Sequence, residues 1–414
     1  MIIPVTKADK TPMQYDRGTL AGEQTGLRAY NRRTILNLIR QSGALPKAEI
    51  ARLTGLSGQS VSVIVNGLLK EKLVRKEGKV RGKVGQPTTP IALNEDGAFS
   101  IGVKIGRRSL EVSLVNFLGQ RIKHGQVFYD APRVSEVEQI LNSELSGVLD
   151  GIGQATRDRI VGVGVAMPSL LHEWADVMGL AAADLVDWRG LDVAALVSDM
   201  VGMPVEIYND ATAACAAEMV LGSAMTRSSA FYLFIGTFIG GGIVLDRRLF
   251  TGPQGNAGAI GPIPVPAAGG GVEQLLANGS LFTLDQALIA EGIPSQGDIA
   301  DRVQEPRAAA SLRRWRERAS EVIAFAVASA VSVIDFEEVI IDAMLHPSDI
   351  QAIVDDVRLA LRQIDLTGTS QTVIKPGTIG PTARVAGAAV LPLIRQFSPD
   401  QTLLLKNPAS VLPV

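Results

Sequence analysis

Apolar positions near the start of the chain recur every three to four residues, and further along they alternate or gather in short blocks. In NRRTILNLIRQSG, from Asn31, the residues Ile35, Leu36, Leu38 and Ile39 share one face, which predicts a helix that stops at Gly43. A second helix is predicted from about Pro46 to Thr54 and a third from about Gly58 to Glu71, separated by the turn Gly55-Leu56-Ser57. Ala48, Ile50, Ala51, Leu56, Val61, Ile64 and Val65 are expected to lock that pair together as a helix-turn-helix. The stretch from Leu73 to Asn94 then reads as two strands around a basic, glycine-rich tip carrying Lys76, Lys79, Arg81 and Lys83, the wing of a winged helix.

From Ala98 strands and helices alternate. FSIGVKIGRRSLEVSLVNFLGQRIKHGQVFY, from Phe99, predicts a hairpin or three-strand meander, and IVGVGVAM, from Ile160, a buried strand. VEIYN, from Val205, predicts another strand, and AFYLFIGTFIGGGIVLDRRLF, from Ala230, a further hairpin with a glycine-rich turn. Two such β-rich units, each followed by helices, imply two α/β lobes around a cleft. The expected organisation is a disordered polar leader over 1–27, a winged helix-turn-helix over 28–95 and a two-lobe α/β body over 96–414. Within the body the lobe boundary is expected near 205, with the C-terminal helix packing back on the first lobe.

Composition narrows the chemistry. A chain of 414 residues, 46% hydrophobic and 20% charged, is long enough for two or three buried cores. It has no run of about 18 apolar residues, and MIIPVTKADKTPMQYDRG has no apolar signal core, so a cytoplasmic protein without membrane insertion is expected. Cys215 is the only cysteine and His124, His172 and His346 are the only histidines, which argues against an internal disulfide and a structural zinc site. The net charge of −2 hides an asymmetry: residues 1–95 carry 16 Lys and Arg against 7 Asp and Glu, and the remainder 24 against 35. The basic end is where an anion would bind.

The pattern on the third helix makes that anion double-stranded DNA. Gln59, Ser60, Ser62, Val63 and Asn66, with Gly58, face outward and are small or hydrogen-bonding, where a merely solvated face would carry Glu and Lys. Lys47 and Ser57 flank this face, and Lys79, Arg81 and Lys83 on the wing are expected to touch phosphate. A helical oligomerisation module with a charged hairpin is the plain alternative. In the body, EIYNDATAACAAE places Asn209-Asp210 at a strand-to-helix junction, where a carboxylate can take a proton, hold a hydroxyl or cap the helix beginning near Ala211. GTFIGGG, from Gly236, is either an anion nest or a tight hairpin.

As an ordered set these runs, with GQPTTPIALN, GVGVAMP, GPQGNAGAIG and GTIGPTARVAGAAV, resemble the ROK family over about residues 28–395. That family comprises sugar kinases and sugar-responsive repressors on an actin-like two-lobe ATPase fold, and the kinases generally lack the DNA-binding module. The resemblance implies that Asn209, Asp210, Glu273 and Gly258 contact sugar. It also exposes departures. Family kinases place an Asp followed by Gly-Gly-Thr in the first phosphate loop, where the Asp helps to hold magnesium; the matching run here is Lys104-Ile-Gly-Arg-Arg-Ser109. Phe238 replaces a glycine of the second loop, and Ile340-Ile-Asp-Ala-Met stands at the adenosine pocket's Gly-Gly. Ala259 and Pro262 replace a sugar-binding Glu and His, and Val265-PAAGGG replaces the zinc cysteines. Lys104 is left two places, beside Asp210 as a stand-in for the metal's charge or along the strand toward solvent.

The reading is therefore a homodimeric or larger DNA-binding regulator, a repressor of carbohydrate uptake or catabolism genes. It binds an operator and senses a small carbohydrate or sugar phosphate in a non-catalytic cleft, with no cofactor and no metal. An ATP-dependent sugar kinase with a DNA-binding appendage is the enzyme alternative, and a DNA-bound scaffold with an empty pocket is the third.

Overall fold

The computed structural model describes residues 22–78, 88–169, 171–175, 179–253 and 255–399. Contacts divide the chain into one unit up to Leu93, joined by the segment from Phe397, and a second unit, Asn94–Gln396.

The first unit contains α1 (Gly22–Ser42), α2 (Lys47–Thr54), α3 (Gly58–Lys70), β1 (Val74–Lys76) and β2 (Ile91–Leu93). Ile35, Leu36, Ile39, Ile50, Val61, Val65 and Leu68 are buried and form its core. α1 begins at Gly22, so residues 22–27, expected to be disordered, are helical; Glu23, Gln24, Leu27 and Arg28 are good helix formers that extend the amphipathic run without an apolar face of their own. Ala48 is exposed where burial was expected, because two residues turn a helix about 200° and place it opposite Ile50. Gly55 ends α2 with φ +70°, a conformation that favours glycine, and the Ser57 side chain opens α3 by accepting from the Ser60 N–H at 3.1 Å. β1 and β2 pair antiparallel from Val74↔Leu93 to Lys76↔Ile91 as the stem of the wing. Its tip, with Lys79, Arg81 and Lys83, lies outside the described residues, as do residues 1–21.

The second unit holds two five-stranded sheets built to one plan. β3 (Phe99–Ile105), β4 (Ser109–Asn116) and β5 (Arg121–Phe128) form an antiparallel meander, and β6 (Ile160–Met167) and β7 (Val205–Asn209) extend it in parallel, giving the order β5-β4-β3-β6-β7. β8 (Ala230–Ile235), β9 (Ile239–Leu245), β10 (Arg248–Phe250), β13 (Glu338–Ala343) and β14 (Val373–Pro376) repeat it as β10-β9-β8-β13-β14. A separate pair, β11 (Pro264–Pro266) and β12 (Val272–Gln274), is antiparallel. β7 is an edge strand of the first sheet, and the chain leaves that sheet after Asn209.

Helices cover both sheets. α4 (Val134–Leu149) and α5 (Val193–Val201) bury their apolar faces in the first core, with Val137, Leu141, Leu145 and Val197 almost fully enclosed. α6 (Asp210–Leu221) is lined with alanines and has Cys215 fully buried against β9. α7 (Leu281–Ala290), α8 (Ala309–Val333) and α9 (Pro347–Leu361) close the second core around Leu284, Ile323 and Ile353. The last helix among the described residues, α10 (Ala383–Phe397), crosses β3 and β6 at Gly102 and Gly164, where an added Cβ would meet the Ala389 nitrogen at 2.5 Å and the Ala388 carbonyl oxygen at 2.1 Å. Only the absence of a side chain allows helix and sheet backbones to approach so closely.

Candidate ligand cleft and nucleic-acid face

In the first unit, burying Val61, Ile64, Val65 and Leu68 leaves the opposite side of α3 to solvent. Gln59, Ser60, Val63 and Asn66 are exposed there, Val63 by 52%, and Ser62 is half-buried. Lys47 Nζ donates to Asn66 Oδ1 at 2.9 Å, so α2 steadies one of the base-reading candidates on α3. Ser57 and Ser60 are engaged with each other at the helix start, their hydroxyls 2.9 Å apart, which ties Ser57 to capping.

At the end of β7 the chain turns into α6. Asn209 is the cap: its Oδ1 accepts from the Ala211 and Thr212 N–H groups at 3.0 and 3.3 Å, and its Nδ2 donates to Ser169 Oγ at 3.3 Å. Asp210, the first helical residue, shares in holding the helix start, its Oδ1 accepting from the Ala211 N–H at 3.1 Å. Its Oδ2 lies 3.5 Å from Arg384 Nη1, in an ion pair whose side chains are 16% and 6% exposed. Arg384, in the first turn of α10, also donates to Met344 Sδ at 2.7 Å and stands 5.3 Å from the centre of the Phe234 ring. Glu273 on β12 accepts from Asn278 Nδ2 at 2.6 Å and from Arg318 at 2.8 Å. Gly258, with φ +86°, packs on the β9 backbone, where a Cβ would fall 2.8 Å from the Gly241 carbonyl oxygen.

The turn joining β3 and β4 is flanked by Lys104 and Ser109 and carries Arg107 and Arg108. Lys104 faces Glu111 in the strand register and is 2% exposed, so it does not run to solvent; Glu111 is its direct partner, and the charge of Asp210 also acts on it. Its Nζ donates to Glu111 Oε1 at 2.8 Å and to Ser109 Oγ at 2.7 Å. The side chain curls under the turn: a Cβ at Gly106 would meet Lys104 Cε at 2.6 Å, so the glycine is what gives the lysine room. Burial pushes the Lys104 ammonium down to about 8. Burial works to raise the Glu111 carboxyl, but the charge and hydrogen bond of Lys104, with the charges of Arg384 and His124, hold it below its ordinary value. Arg107 is pushed down to about 10 by burial, and its guanidinium lies 4.3 Å from the centre of the Phe238 ring. Phe238 and the turn before it are held by Ser280, whose Oγ accepts from the Ile239 N–H at 3.0 Å.

Between these turns opens a cavity of about 530 Å³, lined by Lys104, Arg107, Arg108 and Ser109 of the first lobe. Thr237, Leu281, Phe282, Asp285, Arg302 and Met344 line it from the second, with Arg384. Asn209, Asp210, Gly258 and Glu273 are not among its lining residues, so the sugar-side candidates and the cavity are different places. Arg384 belongs to both, through its pair with Asp210. Asp342 is fully enclosed; it accepts from Tyr232 Oη at 3.0 Å and the Gly380 N–H at 3.1 Å, and burial pushes its carboxyl up to about 6.

Arg384, Glu111 and Arg302 are the residues that sequence reasoning did not single out. Arg384 lies inside the GTIGPTARVAGAAV run, so the motif was available without its role. Glu111 follows only from strand register, and Arg302 sits on a four-residue helical turn, Ile299–Arg302, with no motif around it.

Comparison with known proteins bears on both units. The family model described as the ROK family matches residues 100–394, and the one described as the MarR family matches residues 31–82. A protein named xylose repressor from Bacillus spizizenii is 25% identical over 245 residues, 59% of this chain; the match spans 62% of that relative's length. A transcriptional regulator of Mycobacterium bovis is 23% identical over 391 residues, 87% of this chain and 84% of its own. Among solved structures, a ROK family transcriptional regulator described as a homolog of the E. coli MLC protein superposes with a TM-score of 0.63 at 17% identity, over 93% of this chain and all of its own. A ROK family glucokinase from Streptomyces griseus, solved with glucose and AMPPNP, superposes with a TM-score of 0.56 at 20% identity, over 71% and 99%. At such identities the two structures share the fold and carry no more than that.

Proposed function

The chain belongs to the ROK family, and from that premise we propose that it is a DNA-binding transcriptional regulator. In this reading it represses carbohydrate uptake or catabolism genes and answers a small carbohydrate bound in the cleft of its second unit. The observation that carries the reading is the α3 face: a winged helix with Gln59, Val63 and Asn66 exposed stands on the same chain as a ROK body. Gln and Asn side chains match adenine edges in the major groove, and a valine methyl suits the thymine methyl. Two copies in a homodimer would address the halves of a pseudo-palindromic operator. Relatives named as repressors and regulators support the same reading, and their printed names make xylose the first sugar to test.

In the cleft, Asn209, Asp210 and Glu273 are the proposed acceptors for sugar hydroxyls. We assign Asp210 to holding a hydroxyl. A general base needs an electrophile placed in line, and phosphoryl transfer depends on metal and positioning. The turn that would organise the metal carries the Lys104–Glu111 pair, and Arg107 stacks on the Phe238 that replaces a loop glycine. A cytoplasmic location follows from the reading.

Selection of genomic fragments by the purified protein, followed by mobility shift with and without xylose, tests it. Specific fragments are expected, with Gln59→Ala and Asn66→Ala each weakening them by about 1–3 kcal/mol while random DNA is nearly unaffected. ADP release with a sugar panel, abolished by Asp210→Asn, would replace this reading with the kinase.

A further inference from the structure

The cations on the cleft cavity are its more buried charges, and its acids are the more exposed ones. Lys104, Arg107, Arg302 and Arg384 line it and are 2%, 9%, 8% and 5% exposed. Asp130 on the same cavity is exposed, and Glu136, Asp285 and Asp298 are half-buried. Lys104 is answered by Glu111, and Arg302 Nη1 by Asp285 at 2.6 Å. Arg302 nonetheless keeps Nε and Nη2 buried with no hydrogen-bond partner, and Arg384 keeps Nε so. Buried donors of this kind are unfavourable until an acceptor reaches them.

We propose that this cavity binds the oxyanion of a small metabolite, a phosphate or carboxylate group, through Arg302, Arg107 and Arg384. Guanidinium forks match such groups with paired hydrogen bonds. The Phe238 ring fixes the plane of Arg107, and Ser109 already accepts from Lys104, which leaves its own hydroxyl proton to donate to the ligand. The volume suits a metabolite of sugar-phosphate size. The first-lobe wall presents Lys104 and Arg107 where a magnesium-bound nucleotide would need oxygen ligands for its metal, so an anion without metal fits it better. Because Arg384 also pairs with Asp210, a bound oxyanion competes with Asp210 for it. The inference adds to the effector reading a second ligand place, which the sugar-side residues do not line and which meets them through Arg384; it rests on the cleft being a ligand site and is independent of what the first unit binds.

The test is calorimetry and thermal shift on the full chain at constant ionic strength, with inorganic phosphate, a hexose 6-phosphate, the parent hexose, gluconate and magnesium-ATP as probes. Phosphate, the hexose phosphate or gluconate is expected to stabilise the protein, the phosphate and carboxylate arms separating the two anion sources. The parent hexose is expected to do so at least tenfold more weakly. Arg302→Gln made together with Asp285→Asn removes the pair as a unit, and Arg107→Met removes a cation from the other lobe. Each is expected to weaken anion binding at least tenfold with circular dichroism unchanged, and Asp210→Asn to tighten it. Unaltered anion binding in both arginine variants, no anion binding at millimolar concentration, or tighter binding of magnesium-ATP than of every simple anion would overturn the proposal. Operator binding by the same preparations, read separately, shows whether the regulator reading stands or falls on its own.

Discussion

A buried ammonium needs its counter-ion close by, and Lys104 finds one directly across the strand pair. Glu111 is 5% exposed, so removing either partner strands the other as an uncompensated charge. Lys104→Met alone is therefore expected to destabilise the protein by about 3–5 kcal/mol, and Lys104→Met with Glu111→Leu to recover most of the loss. Urea midpoints of the three proteins measure this, and a single variant as stable as the wild type would mean that water reaches the pair. Asp342 adds a pH term of unusual sign. Its carboxyl is pushed up to about 6 by burial, from an ordinary 3.8, so between those values the folded form keeps a proton that the unfolded chain has released. Its contribution is fully present below the lower value and is lost as pH rises through the upper. The stability of wild type relative to Asp342→Asn is expected to fall from pH 4 to pH 6 and then level, which denaturation at stepped pH would follow.

Among the elements, α10 depends most on what is missing from its neighbours. The Ala388 carbonyl sits where a Gly164 Cβ would stand, and Ser100 Oγ donates to the Ala389 carbonyl beside it. Gly164→Ala should push the helix off β6 and destabilise by at least about 1–3 kcal/mol, measurable as a lowered melting temperature. The elements also differ in how plainly the sequence announced them. α2, α3 and the strands at Phe99, Ile160 and Val205 were legible because each carries its period within a dozen residues. The start of α1 was not, because Gly22 to Arg28 has helix formers but no apolar face.

Across the whole molecule the limit of legibility is distance along the chain. Two α/β lobes could be inferred from the repeated β-hairpin pattern, and the matching strand orders of the two sheets reproduce that repetition. Which charges meet between them could not, since Asp210 pairs with Arg384 on the last helix and Arg302 lines the cavity from a turn without a motif. Local periodicity reports faces; it is silent on partners supplied by remote segments.

The seat of α10 on β3 and β6 also sets a timetable for synthesis. The first sheet is complete in its own strands by Asn209, yet the face that holds Gly102 and Gly164 receives its cover only when Ala388 and Ala389 emerge. At about 5–20 residues per second, that interval is roughly 10–40 s, during which a face of small and polar residues, Ser100, Gly102, Ser113 and Gly164 among them, waits for α10. The body is thus stitched shut by α10, and a nascent first lobe cannot finish folding early. A chain ended after Gly380 is expected to stay protease-sensitive and to bind a hydrophobic dye, and recovery of protection when residues 381–399 are supplied as a peptide would identify α10 as the closing stitch.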